Sequence, residues 1–222
     1  MCDTFVATPE CTESKKMIFG KNSDREPNEA HHLVRFAGKK IKERKQKVTY
    51  IEIPAPKETY EVILGKPFQM FGAEMGANEF GVVIGNEAVF TKVKTEKKNR
   101  GLTGMDMIRI ALERTKSSEA ALELIIGLLE EFGQDACGGY TDKSFYYHNS
   151  FIIADAEKAF VLETAGKEWA AIRVKGFRSI SNGLTIESEY DFSSRGLIDY
   201  AIKNNFMKKK DEFNFRKVYS DS

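Results

Sequence analysis

Residues 1–7 read MCDTFVA and residues 16–24 read KMIFGKNSD. Thr4 to Thr8 is a short β-rich run, and Lys16 to Phe19 leads into Gly20, so the two runs are expected to pair as an antiparallel hairpin joined through Pro9 to Ser14. What makes this hairpin decisive is the residue ahead of it. Cysteine is small enough for a preceding initiator Met to be removed, and removal of Met1 would leave a thiol and a free α-amine on Cys2. Their reference pKa values are roughly 8.5 and 7.7–8.0. A nucleophile needs a base that titrates near neutral pH, and one residue would then supply both. The thiolate attacks a carbonyl, while the amine takes the thiol proton and later delivers it to the leaving group. Taken alone, a Met-Cys start is also simply how some chains begin.

The residues around Cys2 add weight. Gly20-Lys21-Asn22-Ser23-Asp24 places a base and an acid at a strand end. Asn86 directly follows a glycine-bounded apolar run, Gly81 to Gly85, and Asn182 follows the strand-like Arg178 to Ser181. Side-chain amides at strand ends suit an oxyanion hole, which needs neutral donors aimed at developing charge. An acid such as Asp24 can orient a terminal amine and hold its protonated form. Asn and Asp are also the ordinary formers of turns, so each of these positions has a plain structural reading too.

Further along, the apolar period changes. Leu33 to Phe36, Lys47 to Ile53 and Tyr60 to Leu64 read as strands. Gly104 to Arg114 sets Met105, Ile108 and Leu112 on one helical face, with Thr103 and Asp106 as a weak capping box. Ser117 caps a second helix, Glu119 to Phe132, which Gly133 stops. The short link makes the two helices antiparallel neighbours. Asn149 to Ala154, Lys158 to Thr164, Glu168 to Val174 and Arg178 to Ser181 then form an antiparallel meander, followed by a helix over Ser193 to Phe206. The tail from Met207 is polar, with Phe213, Phe215 and Tyr219 as its apolar anchors. Strands, a helix pair, strands and a helix imply an α+β layered fold in one domain, residues 1–222.

The bulk numbers exclude several classes. Lys plus Arg is 34 against 33 for Asp plus Glu, a net charge of +1, which gives no electrostatic reason to expect nucleic acid or an anionic membrane as partner. The basic run KKIKERKQK at residues 39–47 is interrupted by Glu43 and reads as a solvated turn. No apolar stretch approaches the roughly 20 residues of a membrane span, and no secretory signal precedes Cys2. Three irregularly spaced cysteines, Cys2, Cys11 and Cys137, argue against a disulfide framework and for reducing cytoplasm. His31 and His32 are adjacent, so a strand would point them to opposite faces; no metal and no cofactor is expected. His148 reads as structural, and Glu74, Asn78 and Glu79 as groups that could meet a substrate's charged terminus.

Several long motifs occur in order: MCDTFVA, FGKNSDREPNEA, FGAEMGANEFGVVIGNEAV, GLTGMDMIRIALER, LLEEFGQ, AFVLETAGKEWAA and SISNGLTI. Over nearly the whole chain this pattern resembles the secernins and their bacterial dipeptidase relatives, which group with N-terminal-nucleophile hydrolases such as penicillin V acylase and bile salt hydrolase. The resemblance implies an αββα sandwich and a cysteine dipeptidase acting on a small peptide or amide substrate. It implies Cys2 as nucleophile, Asp24 beside it, Asn86 as the oxyanion-hole asparagine and Asn182 as a second catalytic asparagine. Lys21 stands where the acylase branch carries arginine, and with Asn78 it is expected to bind substrate; lysine lacks the planar fork of arginine. Family members run on for a substantial C-terminal half beyond Ser222. A sandwich lacking that half would leave faces uncovered, favouring homo-oligomers, and could persist as a non-catalytic interaction protein.

Overall fold

The computed structural model describes residues 1–208 and 213–221. Strand β1 (Asp3–Ala7) pairs antiparallel with β2 (Ile18–Asn22), Thr4 opposite Lys21 and Val6 opposite Phe19, so the expected N-terminal hairpin forms. After β3 (His31–Phe36) come two short hairpins, β4 (Lys39–Lys40) with β7 (Glu58–Thr59) and β5 (Lys45–Lys47) with β6 (Glu52–Pro54). The single strand expected over Lys47 to Ile53 is thus a turn: Gln46 pairs with Ile53, and the Val48 N–H donates to the Ile51 carbonyl at 2.9 Å.

The larger sheet is built from β3 and seven later strands: β8 (Val62–Pro67), β9 (Met75–Asn78), β10 (Val83–Val89), β11 (His148–Ala154), β12 (Ala159–Ala165), β13 (Glu168–Arg173) and β15 (Phe192–Ser193). Their order is β15-β13-β12-β11-β10-β9-β8-β3, with every pairing antiparallel. Between β10 and β11 the chain forms α1 (Gly104–Arg114) and α2 (Ser118–Phe132). Thr103 and Asp106 make a complete capping box on α1, and Asp serves where Glu is more common because it is buried beside Thr49, whose hydroxyl donates to it at 2.6 Å. Gly133 ends α2 at φ +68, a conformation glycine adopts without a Cβ penalty.

β14 (Phe177–Ile180) departs from the expected meander. It leaves the large sheet and pairs with β1, Thr4 opposite Ile180, giving a small sheet of order β14-β1-β2. The cause is local. Gly176 takes φ +76, and Thr8 clamps it, its N–H donating to the Gly176 carbonyl at 2.8 Å and its Oγ1 accepting from the Gly176 N–H at 2.9 Å. The third helix is also shorter than expected: α3 spans Leu197–Lys203, since Ser193 belongs to β15. In the tail, α4 (Phe215–Tyr219) carries two of the expected anchors, Phe215 and Tyr219, both fully buried; residues 209–212 and 222 lie outside the described residues.

Two cores result. One face of the large sheet meets α1 and α2 through Ile84, Phe151 and Leu162 against Ile108, Leu112 and Ile125. The other meets the small sheet and α3 and α4 through Ile152 and Val161 against Val6, Ile180, Leu197 and Tyr219. Each such large side chain contributes about 1.5–3 kcal/mol on burial. β11 and β12 lie between the two cores and are buried along their whole length. The outer face of the small sheet stays exposed and carries Phe5, Ile18 and Phe177, with Phe5 and Phe177 stacked at 5.8 Å.

A buried ion pair crosses between the sheets. Thr4 and Lys21, opposite one another on β1 and β2, both reach Glu87 on β10: Lys21 Nζ lies 2.9 Å from Glu87 Oε1, and the Thr4 hydroxyl donates to the same oxygen. Lys21 Nζ also donates to the Asn86 carbonyl at 2.6 Å. Gly85 leaves room for this approach, since a Cβ there would stand 3.0 Å from the Lys21 and Phe19 side chains. Lys21→Met leaves the Glu87 carboxylate without its cation and should cost about 3–5 kcal/mol in urea-induced unfolding, whereas the Lys21→Met/Glu87→Leu pair should recover most of that loss. A single variant as stable as the parent would show the pair to be idle.

His148 supplies a second test. It is buried on β11, its Nδ1 2.8 Å from the Thr91 hydroxyl, and burial pushes its pKa down to about 4 against the opposing pull of Asp135. The folded state therefore binds this proton less readily than the unfolded chain. The stabilisation is complete above the unfolded value near 6.5 and falls as pH drops toward 4, by about 3 kcal/mol. Unfolding free energy measured from pH 7 to pH 4.5 should show this slope, and His148→Asn should flatten it.

Candidate active site

Cys2 stands just ahead of β1 and is held from three sides. Its main-chain N–H donates to Asn182 Oδ1 at 3.0 Å, its carbonyl accepts from the Ser181 hydroxyl at 3.0 Å, and its Sγ accepts from the Asp24 N–H at 3.2 Å. Pairing of β1 with β14 and β2 brings these partners together from positions 22 and 180 residues away in sequence.

Asn182 is itself fixed. Its Nδ2 donates to the Ala88 carbonyl at 2.9 Å, and Ser181 bridges to Gly183. The loop beyond is tied down by Glu163 on β12, a fully buried carboxylate that accepts main-chain N–H groups of Thr185 at 2.7 Å and Ile186 at 2.9 Å. With both ends of its amide engaged, Asn182 orients the Cys2 nitrogen.

The electrostatics describe the form that carries Met1. Burial pushes the Cys2 thiol above its ordinary value, Asp24 and Lys21 oppose this, and Glu87 and Glu74 add to it. The nitrogen of Cys2 is an amide here and has no proton affinity to offer. The Met1 ammonium pairs with the Asp24 carboxylate; their hydrogen bond raises the amine and lowers the acid. In this form burial favours the neutral thiol, and Cys2 has no free amine beside it.

A cavity of about 300 Å³ opens at Cys2 and is bordered by Asp24, Asn86 and Asn182. The remaining expected residues, Glu74 apart, lie elsewhere. Lys21 does not border it and is buried beneath, on Glu87. Asn78 does not reach it: its Nδ2 donates to the carbonyls of Leu112 and Thr115 at the end of α1, and its Oδ1 accepts from Phe80 and Val82, so the amide caps a helix and closes a turn. Glu79 accepts the Glu61 N–H on the exterior. Asn86 borders the cavity, but the strand pleat turns its side chain toward the helix layer, where Nδ2 donates to Asn149 Oδ1 at 2.9 Å.

Arg25, Glu87 and Tyr147, not expected from sequence, also line the wall, together with Glu74, which was expected there. Arg25 forks onto Glu29, Nε to Oε2 at 2.8 Å and Nη2 to Oε1 at 2.7 Å, and its Nη1 lies 3.4 Å from Glu74 Oε1. Its Nη2 also donates to the Gly138 carbonyl at 2.7 Å. For Arg25 the available signal was the charge density of residues 24–29, DREPNE. His31 Nε2 lies 3.4 Å from Glu74 Oε2, while His32 is exposed. Among the described residues no three His, Cys, Asp or Glu side chains converge as a metal site needs, and no helix is long and apolar enough to cross a membrane.

Comparison with solved structures agrees with this architecture. Two variants of the conjugated bile acid hydrolase of Clostridium perfringens match over 92% of this chain, at 15% identity and TM-scores of 0.55 and 0.52. The penicillin V acylase of Agrobacterium tumefaciens matches over 78%, at 13% identity and a TM-score of 0.49. The chain spans 56% of the bile acid hydrolase and 49% of the acylase, about half their length. At these identities the hydrolase match speaks to fold, the α+β fold of N-terminal-nucleophile hydrolases. Residues 11–222 match peptidase family C69, and with nearly the whole sequence inside that match the chain belongs to this family.

Proposed function

We propose that this protein is a cysteine amidohydrolase, and specifically a dipeptidase, whose nucleophile is the Cys2 thiol and whose base is the Cys2 α-amine once Met1 is removed. The carrying observation is the placement of both atoms: the nitrogen is 3.0 Å from Asn182 Oδ1 and the sulfur is 3.2 Å from the Asp24 N–H. Membership of family C69 supports amide-bond chemistry; the matched stretch begins after Cys2, so its assignment as nucleophile rests on geometry. The cavity of about 300 Å³ supports a small substrate, at the lower end of the ~300–1,000 Å³ usual for ligand pockets.

In this reading the amine, held by Asn182, takes the thiol proton as Sγ adds to the substrate carbonyl. The Asn182 and Asn86 amide donors are held by the Ala88 carbonyl and by Asn149 Oδ1, so an oxyanion hole built on either requires that contact to be exchanged for the substrate oxygen. The amine's proton passes to the leaving nitrogen, the C–N bond breaks and a thioester remains. Water, deprotonated by the same amine, then cleaves the thioester and releases the acid. Amide plus water gives acid plus amine, and the enzyme returns to its starting state. No added cofactor enters the scheme. The three cysteines, all free, support a reducing cytoplasmic setting.

A second reading has one observation in its favour. The exposed Phe5, Ile18 and Phe177 face suits self-association or a protein partner, as for a non-catalytic interaction protein. Turnover separates the two. With a dipeptide panel followed by chromatography, Cys2→Ala should abolish hydrolysis and Cys2→Ser should lower it by about a hundredfold or more. Unchanged turnover in Cys2→Ala would sink the hydrolase reading.

A further inference from the structure

We infer that Glu74, backed by Glu87, receives the protonated α-amine of the substrate, so that the site selects small peptides with a free amino terminus over N-acylated ones. This rests on the dipeptidase reading and assigns its substrate class to named side chains.

The inference starts from a charge count. Two linked ion-pair groups lie under the cavity: Lys21 with Glu87, and Arg25 with Glu29 and Glu74. All five side chains are at most 10% exposed. With every group ionised, three carboxylates would face two cations; burial, with Glu74 adding to it, pushes the Glu87 carboxyl above its ordinary value, so the cluster resists holding a third anion until a further cation arrives. Buried charges are costly unless paired, so such a surplus marks a place where a cation binds. His31 Nε2, partly exposed, lies 3.4 Å from Glu74 Oε2.

The position of the surplus is equally specific. Glu74 Oε2 and Glu87 Oε2 are both buried without a hydrogen bond, and both residues border the Cys2 cavity. Each carboxylate also bears on the Cys2 thiol, so the two lie within electrostatic reach of the reacting sulfur. Burial disfavours the Glu74 anion, but His31, Arg25 and Lys21 outweigh it and hold the carboxyl below its ordinary value. Two free acceptors and a net negative charge match an ammonium group with its three donors. They do not match a substrate carboxylate. An N-acylated terminus has no charge and a single amide N–H, so it leaves the charge unmatched and at least one of the two acceptors unpaired. Discrimination of that kind is stronger than a hydrophobic pocket achieves, because the mismatch leaves buried polar groups unsatisfied.

Binding can be read without turnover. Calorimetric titration at pH 7 would use the Cys2→Ala protein, Met1 removed, with L-alanyl-L-alanine and with its N-acetyl derivative. The free peptide should bind at least about tenfold more tightly. Adding Glu74→Gln should erase that advantage while leaving the acetylated peptide within about twofold, and Glu74→Asp should restore part of it. Equal affinity for the two peptides, no binding of either, or an advantage that survives Glu74→Gln in a protein with an unaltered thermal transition would each overturn the inference. If Glu74→Gln fails to fold, the two-peptide comparison and Glu74→Asp still decide. Hydrolysis by the cysteine protein is scored apart. Preference without turnover removes the dipeptidase reading alone, and turnover without preference removes this assignment alone.

Discussion

The site depends on one contact between layers. Lys21 and Thr4 on the small sheet converge on Glu87 of the large sheet, in a region where both charged side chains are almost wholly excluded from solvent. Cys2 sits two residues from Thr4, and Asp24 three residues from Lys21, so their distance from the large-sheet wall follows from this contact. Shape alone would allow β1 and β2 to slide along an apolar interface. A paired lysine and glutamate, joined by a threonine, permit one register. The same carboxylate then contributes to the charge of the cavity, so packing and chemistry share a residue.

Once the sheets are fixed, Cys2 is placed by one main-chain group and two side-chain groups. The sulfur sits on the Asp24 N–H, the Cys2 carbonyl on Ser181, and the nitrogen on Asn182. Asn182 depends in turn on β14 having left the large sheet, which Thr8 and Gly176 enforce, and on the grip of Glu163 on Thr185 and Ile186. With Met1 attached, this geometry is complete but chemically idle, because an amide nitrogen cannot take the thiol proton. Removing one residue changes that nitrogen into an amine without requiring any element to move.

Much of this was legible in the sequence where the signal is local. The helix pair was readable from Thr103, Ser117 and Gly133, because caps act within one turn. That Cys2, Asp24 and Asn182 lie together was readable because they flank strands that pair directly. What failed needed knowledge of distant partners. Asn86 and Glu87 are neighbours, and only the pleat decides which faces the small sheet; it is Glu87. Asn78 looks like a binding residue by its surroundings, yet it caps α1 from across the fold. Arg25 and Glu29 were not singled out, since no short-range pattern reveals that a loop will be buried against Gly138, whereas Glu74 was expected near a substrate's charged terminus and borders the cavity. β14 was assigned to the meander because consecutive strands usually pair, and a two-residue clamp at Thr8 and Gly176 overrides that tendency.

The central claim is that Cys2 becomes the chain's N-terminal residue and its thiol then becomes the reactive group. Intact-mass measurement of the purified protein, before and after brief treatment with iodoacetamide, tests it directly, with peptide mapping to separate Cys2 from the exposed Cys11. The account predicts a mass lower by one methionine residue and alkylation at Cys2 ahead of Cys11. Retention of Met1, or a Cys2 slower to react than Cys11, would contradict it.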